Sequence, residues 1–409
     1  MFSYARAKDL GKQKIKRLIA DMGGHRIREL PTAAVTLIEP GEGPRLNLMI
    51  LGIRKEAVFG GADTALRFFR KMQPHYSRAR ILVLREDERD FDSAAWPGWE
   101  LESRGGHGRQ TIAFLRQPGF RPGVEPEDQF IATHWLTATY VRAIRDLQAA
   151  QGKGPQRPFI YLIQDFEPGF YPWSGRYLLA SSSYANPHEV IAVFNTALLR
   201  EYFQQSGYYF PASHVFEPSL NPALTAFRGQ LAGHRKRRLL LVYGRPATPR
   251  NAFDLVVECL LVWSMQYGDA AQWEILSLGE RHRDIPLAKG LVLRSGGKVS
   301  LEQYAGYLLD AAVGISLMVS PHPSYPPLEM AEFGIRVVTN GFANKDLSTR
   351  SPMINSLIDT TPKALAAALI ESCDAFRDTP FVADMPSAFL GNDDEFPFLS
   401  GLAHDLLNS

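Results

Sequence analysis

The sequence holds only two cysteines among its 409 residues, Cys259 and Cys373. Each lies in an apolar pattern of helical spacing, so both read as small buried side chains of a reducing compartment. Two thiols exclude a disulfide framework and a cysteine metal cluster alike. No apolar run reaches the roughly 20 residues that a membrane-crossing helix needs. The N-terminus has no apolar signal-peptide core, which makes a cytoplasmic location the expectation. Charge of one sign is lacking as well: 45 Lys and Arg oppose 43 Asp and Glu, for a net +2. No global field draws nucleic acid to such a chain, so nucleic acid is not an expected partner and any basic contact must be local. The Gly-Lys-Ser/Thr phosphate loop, the dinucleotide glycine fingerprint, the His-Glu-x-x-His helix and any Ser/His/Asp ordering are all missing.

What is present is an α/β pattern in two series. The length exceeds one ordinary core, and 45% hydrophobic with 22% charged residues is the balance of a soluble globular chain. From residue 46 the apolar runs LNLMILGI, ARILVLRE, QFIA and RPFIYLIQD alternate with helical segments. A second series begins at RKRRLLLVYGRP and runs through a helix over 250–267, WEILSLG, GLVLRS, a helix over 300–310, VGISLMV, RVVTN and a helix over 362–377. Such alternation predicts parallel strands with crossover helices. The Pro-bearing stretch 208–237 is the natural boundary. The expected organisation is a basic helical segment at 1–30, an N-terminal Rossmann-like domain at 31–215, a C-terminal one at 216–378, and a tail at 379–409 that packs back on the first domain. Two such halves leave a cleft at the carboxyl ends of their sheets, where ligands of these folds bind. The basic segment carries Arg6, Lys8, Lys12, Lys14, Lys16 and Arg17 among Leu10, Ile15, Leu18 and Ile19. It reads as a solvated surface helix or, alternatively, as a contact with an anionic membrane.

Two stretches of the second half carry the chemistry. In YGRPATPRN a strand ends at Tyr243, Gly244 lets the backbone turn, and Thr248 is placed to cap a helix beginning at Pro249. Arg245 and Arg250 beside that helix start predict phosphate binding; the plainer reading is two surface arginines. Asn251 belongs to the same turn. HPSYPPLEMAEFG puts Glu329 in the first turn of a short helix opened by two prolines and closed by Gly334. The carboxylate either complements the helix dipole or accepts from ribose hydroxyls, with Ser324, Tyr325, Pro327 and Leu328 around it.

In the first half, ATHW and QDFEPGFYPW end two strands, and His134, Asp165 and Glu167 are the candidate bases for an acceptor hydroxyl. His134 reads equally as a core histidine beside Trp135, and Asp165 as a loop cap. Phe166, Phe170, Tyr171 and Trp173 suit sugar stacking or domain packing. The FGGAD turn, with Gly60 and Gly61, is a tight strand-to-helix turn. Asp90 and Asp92 form a paired-carboxylate stretch that reads as solvated loop rather than as a metal site.

Together YGRPATPRNAFDL and SPHPSYPPLEMAEFG resemble the donor domain of GT-B glycosyltransferases, most closely the WsaF-type rhamnosyltransferases, and ATHWLTA and IQDFEPGFYP fit the same family over roughly residues 45–375. The resemblance implies a GT-B fold of two Rossmann-like domains facing across a cleft. It implies Arg245 and Arg250 on a nucleotide diphosphate, Glu329 on the ribose, and Gly60 and Gly61 near phosphate or acceptor. It further implies transfer of a sugar, L-rhamnose from dTDP-L-rhamnose, to a growing surface glycan. No metal or other cofactor is expected. A lipid-linked acceptor would account for the basic N-terminus as a peripheral contact with the inner membrane. The rival readings are a nucleotide-sugar epimerase of the same architecture and a non-catalytic two-lobed binding protein.

Overall fold

The computed structural model describes Ile27 and residues 35–54, 60–150, 157–377, 387–389 and 394–408. The basic segment 1–30, apart from Ile27, lies outside the described residues, as does much of the tail. The described residues form two compact units, one of residues 35–54 and 76–150 and the other of 60–75 and 157–408.

In the first unit, β1 (Thr36–Leu37) pairs with β6 (Gly123–Val124). The larger sheet holds β2 (Arg45–Ile50), β3 (Arg78–Val83), β4 (Glu100–Leu101), β5 (Gln110–Phe114) and β7 (Gln129–Ala132). All are parallel, in the order β7-β2-β3-β5-β4. Every residue of β2 is buried, as befits a central parallel strand covered on both faces. Its polar residues are paired inside: Asp128 accepts from Arg45 Nε at 2.7 Å, and Asn47 Oδ1 accepts from Arg80 Nε at 2.6 Å. The strand order reverses between β2 and β7, and the helix Trp135–Ala150 follows β7.

In the second unit, β8 (Phe159–Ile163), β9 (Val190–Asn195) and β10 (Ala212–Phe216) run parallel in that order. The stretch 208–237, which the sequence marks as a boundary, contains a strand and the helix Pro222–Arg228. β10 leaves most of its residues partly exposed and so shows no apolar run, and the helix fully buries only Leu224. A seven-stranded sheet follows, made of β11 (Arg237–Gly244), β12 (Glu274–Gly279), β13 (Ile285–Pro286), β14 (Val292–Gly297), β15 (Ala311–Ile315), β16 (Arg336–Asn340) and β17 (Ile354–Leu357). Its order is β13-β14-β12-β11-β15-β16-β17, with β13 alone antiparallel. The chain moves outward from β11 to β14 and then returns to lay β15 on the other side of β11. That reversal opens a crevice at the carboxyl ends of β11 and β15.

The basic run 234–238 is structural in part. Lys236 Nζ donates to the carbonyls of Leu308, Leu309 and Ala311 at 3.1, 3.1 and 2.9 Å, closing the C-terminus of the helix Leu301–Asp310. Burial pushes its ammonium down to about 7.

The helix Tyr325–Glu332 packs closely on β15, because Gly314 has no Cβ to meet Met330 Sδ, which would lie at 2.7 Å. Gly334, at φ 70, ends the helix in the left-handed conformation its sequence position predicts. Glu332 of this helix is 8% exposed, and it takes the Ser387 hydroxyl, the Ala388 N–H at 2.6 Å and Arg228 Nε at 3.0 Å. Farther along the tail, Glu395 pairs with Arg67, and Phe396 meets Phe68 and Phe216 edge-on at 5.2 and 4.9 Å. Glu332→Ala orphans buried donors on the tail, and should lower the unfolding free energy by about 2–4 kcal/mol in denaturant titration. A loss under about 0.5 kcal/mol, the scale of surface changes, would show that the tail does not depend on this carboxylate.

Candidate active site

The crevice at β11 and β15 is built by two loops. Gly244 ends β11 where no other residue fits: an added Cβ would stand 2.2 Å from Ser277 Oγ and 2.7 Å from Phe253 Cε2. In the loop that follows, Glu280 Oε2 accepts the Ala247 N–H at 2.9 Å and the Arg245 carbonyl accepts the Thr248 N–H at 2.9 Å. Thr248 makes no side-chain cap, contrary to the sequence reading. Pro249–Asn251 is one 3-10 turn, Ala252 turns left-handed at φ 46, and the long helix runs Phe253–Gln266. The break has a cause in Asn251, which is 1% exposed and tied through Nδ2 to the Leu317 carbonyl at 3.3 Å. Arg250 is accordingly placed by the neighbouring loop: its own carbonyl accepts the Val319 N–H at 2.7 Å.

That neighbouring loop, 316–324, leaves β15 and is held by buried side chains. Asn340 bonds both the N–H and the carbonyl of Met318, at 2.7 and 3.0 Å. Lys345 Nζ reaches the same carbonyl at 2.7 Å, and Thr339 Oγ1 donates to the Ser316 carbonyl at 2.6 Å. The Ser320 hydroxyl donates to Asp165 Oδ1 and accepts the His322 N–H at 3.0 Å. His322 Nδ1 in turn accepts the Ser324 N–H at 3.0 Å, holding Ser324 at φ 69 just before the helix. A left-handed serine costs about 1–3 kcal/mol, which this network offsets. Burial pushes His322 down to about 4, opposed by Asp165 and reinforced by Lys345 and Arg250, so the imidazole is neutral at pH 7 and its proton sits on Nε2. Burial likewise pushes Lys345 down to about 7, with Asp165 opposing.

Glu329 lies in the second turn of its helix, one residue beyond the first-turn position the sequence predicts, because the helix begins at Tyr325. The carboxylate is partly buried, accepts from Tyr304 Oη at 3.0 Å, and is pushed up to about 7 by burial. Burial pushes the Tyr243 hydroxyl up, with Arg245 and, more weakly, Arg250 opposing and Glu329 reinforcing. Tyr325 is half-buried, takes a hydrogen bond from Asn195 Nδ2 at 3.3 Å and has its ring 5.8 Å from that of His322. Pro327 and Leu328 face the core.

Of the first-half candidates, Asp165 joins this site. It lines a cavity of about 160 Å³ with Phe166, Phe170, Tyr202, Arg250 and Ser320. Glu167 does not join it: it is 4% exposed and accepts from Tyr161 Oη at 3.2 Å inside an aromatic cluster. Gly60 stands at φ 47 before the helix Gly61–Met72, and the Gly61 carbonyl accepts Gln164 Nε2 at 2.8 Å, next to Asp165. His134, in the other unit, follows β7. Its Nδ1 accepts the Leu136 N–H at 3.2 Å, and burial with Arg85 nearby pushes it down to about 3. Asp92 caps a 3-10 turn by accepting the Ala94 N–H at 3.0 Å. Sequence reasoning missed Ser320, His322 and Lys345; only the His-Pro-Ser run hinted at them.

The WsaF N-terminal domain matches residues 45–197 and the WsaF C-terminal domain residues 238–370, well over half of the chain together. The chain belongs to the WsaF family. The O-antigen biosynthesis protein RfbC of Myxococcus xanthus is 28% identical over 290 residues, covering 69% of this chain. The chain spans only 21% of that relative's length. Among solved structures, Anabaena HepE in complex with UDP and glucose is similar at a TM-score of 0.52 and 14% identity, over 81% of this chain and 89% of its own. Sucrose-phosphate synthase from Thermosynechococcus elongatus aligns at 0.49 and 12% identity, over 81% and 94%. The fold is GT-B, as the resemblance in the sequence implies.

In this WsaF-family site Glu329 has a measurable signature. Its folded pKa, about 7, exceeds the ordinary 4.5, so the folded state holds the proton more tightly. Its contribution to stability is thus present below pH 4.5 and is lost as pH rises to 7. Glu329→Gln cannot ionise, so between about pH 4.5 and pH 8 the ligand-free variant should gain roughly 1–3 kcal/mol relative to wild type. Chemical denaturation at both pH values reads this directly. A difference that does not change with pH would contradict the raised pKa.

Proposed function

We infer that the protein transfers a sugar from a nucleoside diphosphate donor to the growing end of a surface glycan. The donor lies in the β11/β15 crevice, its diphosphate on Arg245 and Arg250 and its ribose on Glu329. One observation carries the reading: Arg250, in the loop after β11, and Ser320, in the loop after β15, line one cavity at the sheet's reversal point. Arginine is suited to the task because its planar fork bonds phosphate oxygens in pairs and stabilises the departing diphosphate as its charge develops. Gly60 and Gly61 at their helix start are the first-half counterpart, facing phosphate or acceptor. Asp165 is the candidate base, being the only one of the three predicted carboxylate or imidazole groups that lines the cavity with Arg250.

The finer reading takes dTDP-L-rhamnose as donor and an O-antigen, capsule or S-layer glycan as product. The likeness to a protein named for O-antigen biosynthesis supports the product, while the donor's base and sugar rest on the resemblance in the sequence. The reading extends to a cytoplasmic enzyme whose acceptor is lipid-linked and which touches the inner membrane peripherally. No described helix is long and apolar enough to cross a membrane.

A thermal-shift panel of dTDP, UDP and GDP tests the donor class, because a ligand of the folded state raises the melting temperature. Arg250→Ala should weaken the preferred diphosphate by about ten- to hundredfold, the scale of charge-assisted hydrogen bonds, and leave the nucleoside unchanged. Equal losses for diphosphate and nucleoside would assign Arg250 to structure instead.

A further inference from the structure

We propose that Asp165 is the resting counter-ion of Arg250 and competes with the donor's diphosphate for it. The inference rests on the reading that Arg250 binds that diphosphate.

The geometry of Arg250 is that of a side chain held without being satisfied. Its Nε stands 3.6 Å from Asp165 Oδ2, close enough for an ion pair and too far for a hydrogen bond. That Nε is buried and has no hydrogen-bond partner. The guanidinium carbon lies 4.2 Å from the centroid of the Phe170 ring, which supports the cation by its negative face. Asp165 is fixed more firmly. Its Oδ1 accepts the Phe166 N–H at 2.8 Å and the Ser320 hydroxyl, which leaves Oδ2 as the oxygen toward Arg250. Both side chains border the cavity, with 31% of Arg250 and 13% of Asp165 exposed, so a ligand reaches the pair.

A phosphate offers Arg250 the paired, short hydrogen bonds that Asp165 does not make, so the arginine exchanges one anion for another. Asp165 is not stranded by the exchange, since the buried Lys345 ammonium also acts on it. The consequence falls on release. Once the sugar has left, a nucleoside diphosphate carries a further ionisable oxygen and grips Arg250 more tightly than the sugar ester does. A fixed carboxylate competing for the same cation offsets that grip and helps the product depart.

Calorimetric titration of UDP, dTDP and GDP, with the matching nucleosides, tests this on wild type, Asp165→Asn and Asp165→Ala. Melting temperatures report whether each variant folds. Both variants should bind the preferred diphosphate about two- to fivefold more tightly, the scale of a partly exposed ion pair, with nucleoside affinity unchanged. Adding Arg250→Ala to Asp165→Asn should erase the gain. Diphosphate affinity that is unchanged in folded variants, even with turnover lost, would make Asp165 a base and nothing more and overturn the proposal. Weaker binding of nucleoside and diphosphate alike would make it a structural tie and overturn the proposal equally. A wild type that binds none of the three diphosphates would overturn the donor reading itself, and the inference with it.

Discussion

Past Ile315 the backbone leaves the sheet, and the peptide groups of Leu317 and Met318 are met by side chains brought from elsewhere. Asn251 takes the Leu317 carbonyl, Asn340 takes both groups of Met318, and Lys345 adds a third bond to that residue. A buried peptide group left alone costs about 1–3 kcal/mol, so the loop has one favourable course and holds it. Everything at the site follows from that course. It brings Val319 to the Arg250 carbonyl, Ser320 to Asp165, and His322 under the strained Ser324 that begins the Glu329 helix. The arginine, the candidate base and the carboxylate are thereby positioned by one segment of backbone.

The same burial decides the charges. His322 is neutral, Lys345 titrates near 7, and Glu329 is pushed to about 7, because a poorly solvated pocket penalises each ionised form. A resting site of this kind holds cationic groups weakened by burial, whose charge an anionic ligand favours. In the proposed reading, a diphosphate at Arg245 and Arg250 supplies the counter-charge, and a ribose hydroxyl supplies the donor that favours Glu329 as a carboxylate. On that reading the free energy that disfavours the empty site is recovered when the ligand binds.

Much of this was legible in the sequence. Apolar runs bounded by turn residues located most strands of the second half, and Gly244, Gly334 and the Pro-Pro helix start sit where their backbone chemistry requires. The residues proposed for the donor site stand out in the sequence because strand ends and helix starts are local signals. The misses have physical reasons. Thr248 and Pro249 look like a cap and a first helical residue, but Asn251 is drawn to Leu317 and breaks the turn. β10 is hidden because its side chains are only partly covered. Ser320 meets Asp165 across 155 residues, and no periodicity reports a contact of that range. Glu167 and Asp165, two residues apart, looked alike in sequence; only the aromatic cluster around Tyr161 separates the buried one from the one at the cavity.

The central claim is that one crevice at the β11/β15 reversal holds a nucleoside diphosphate by its charges and its ribose. A crystal structure of the complex with the diphosphate that most raises the melting temperature tests it most directly. The account predicts phosphate oxygens within hydrogen-bond distance of Arg250, with Arg250 moved off Asp165, and a ribose hydroxyl on Glu329. A nucleotide seated elsewhere, or one whose ribose leaves Glu329 bonded to Tyr304 alone, would contradict it.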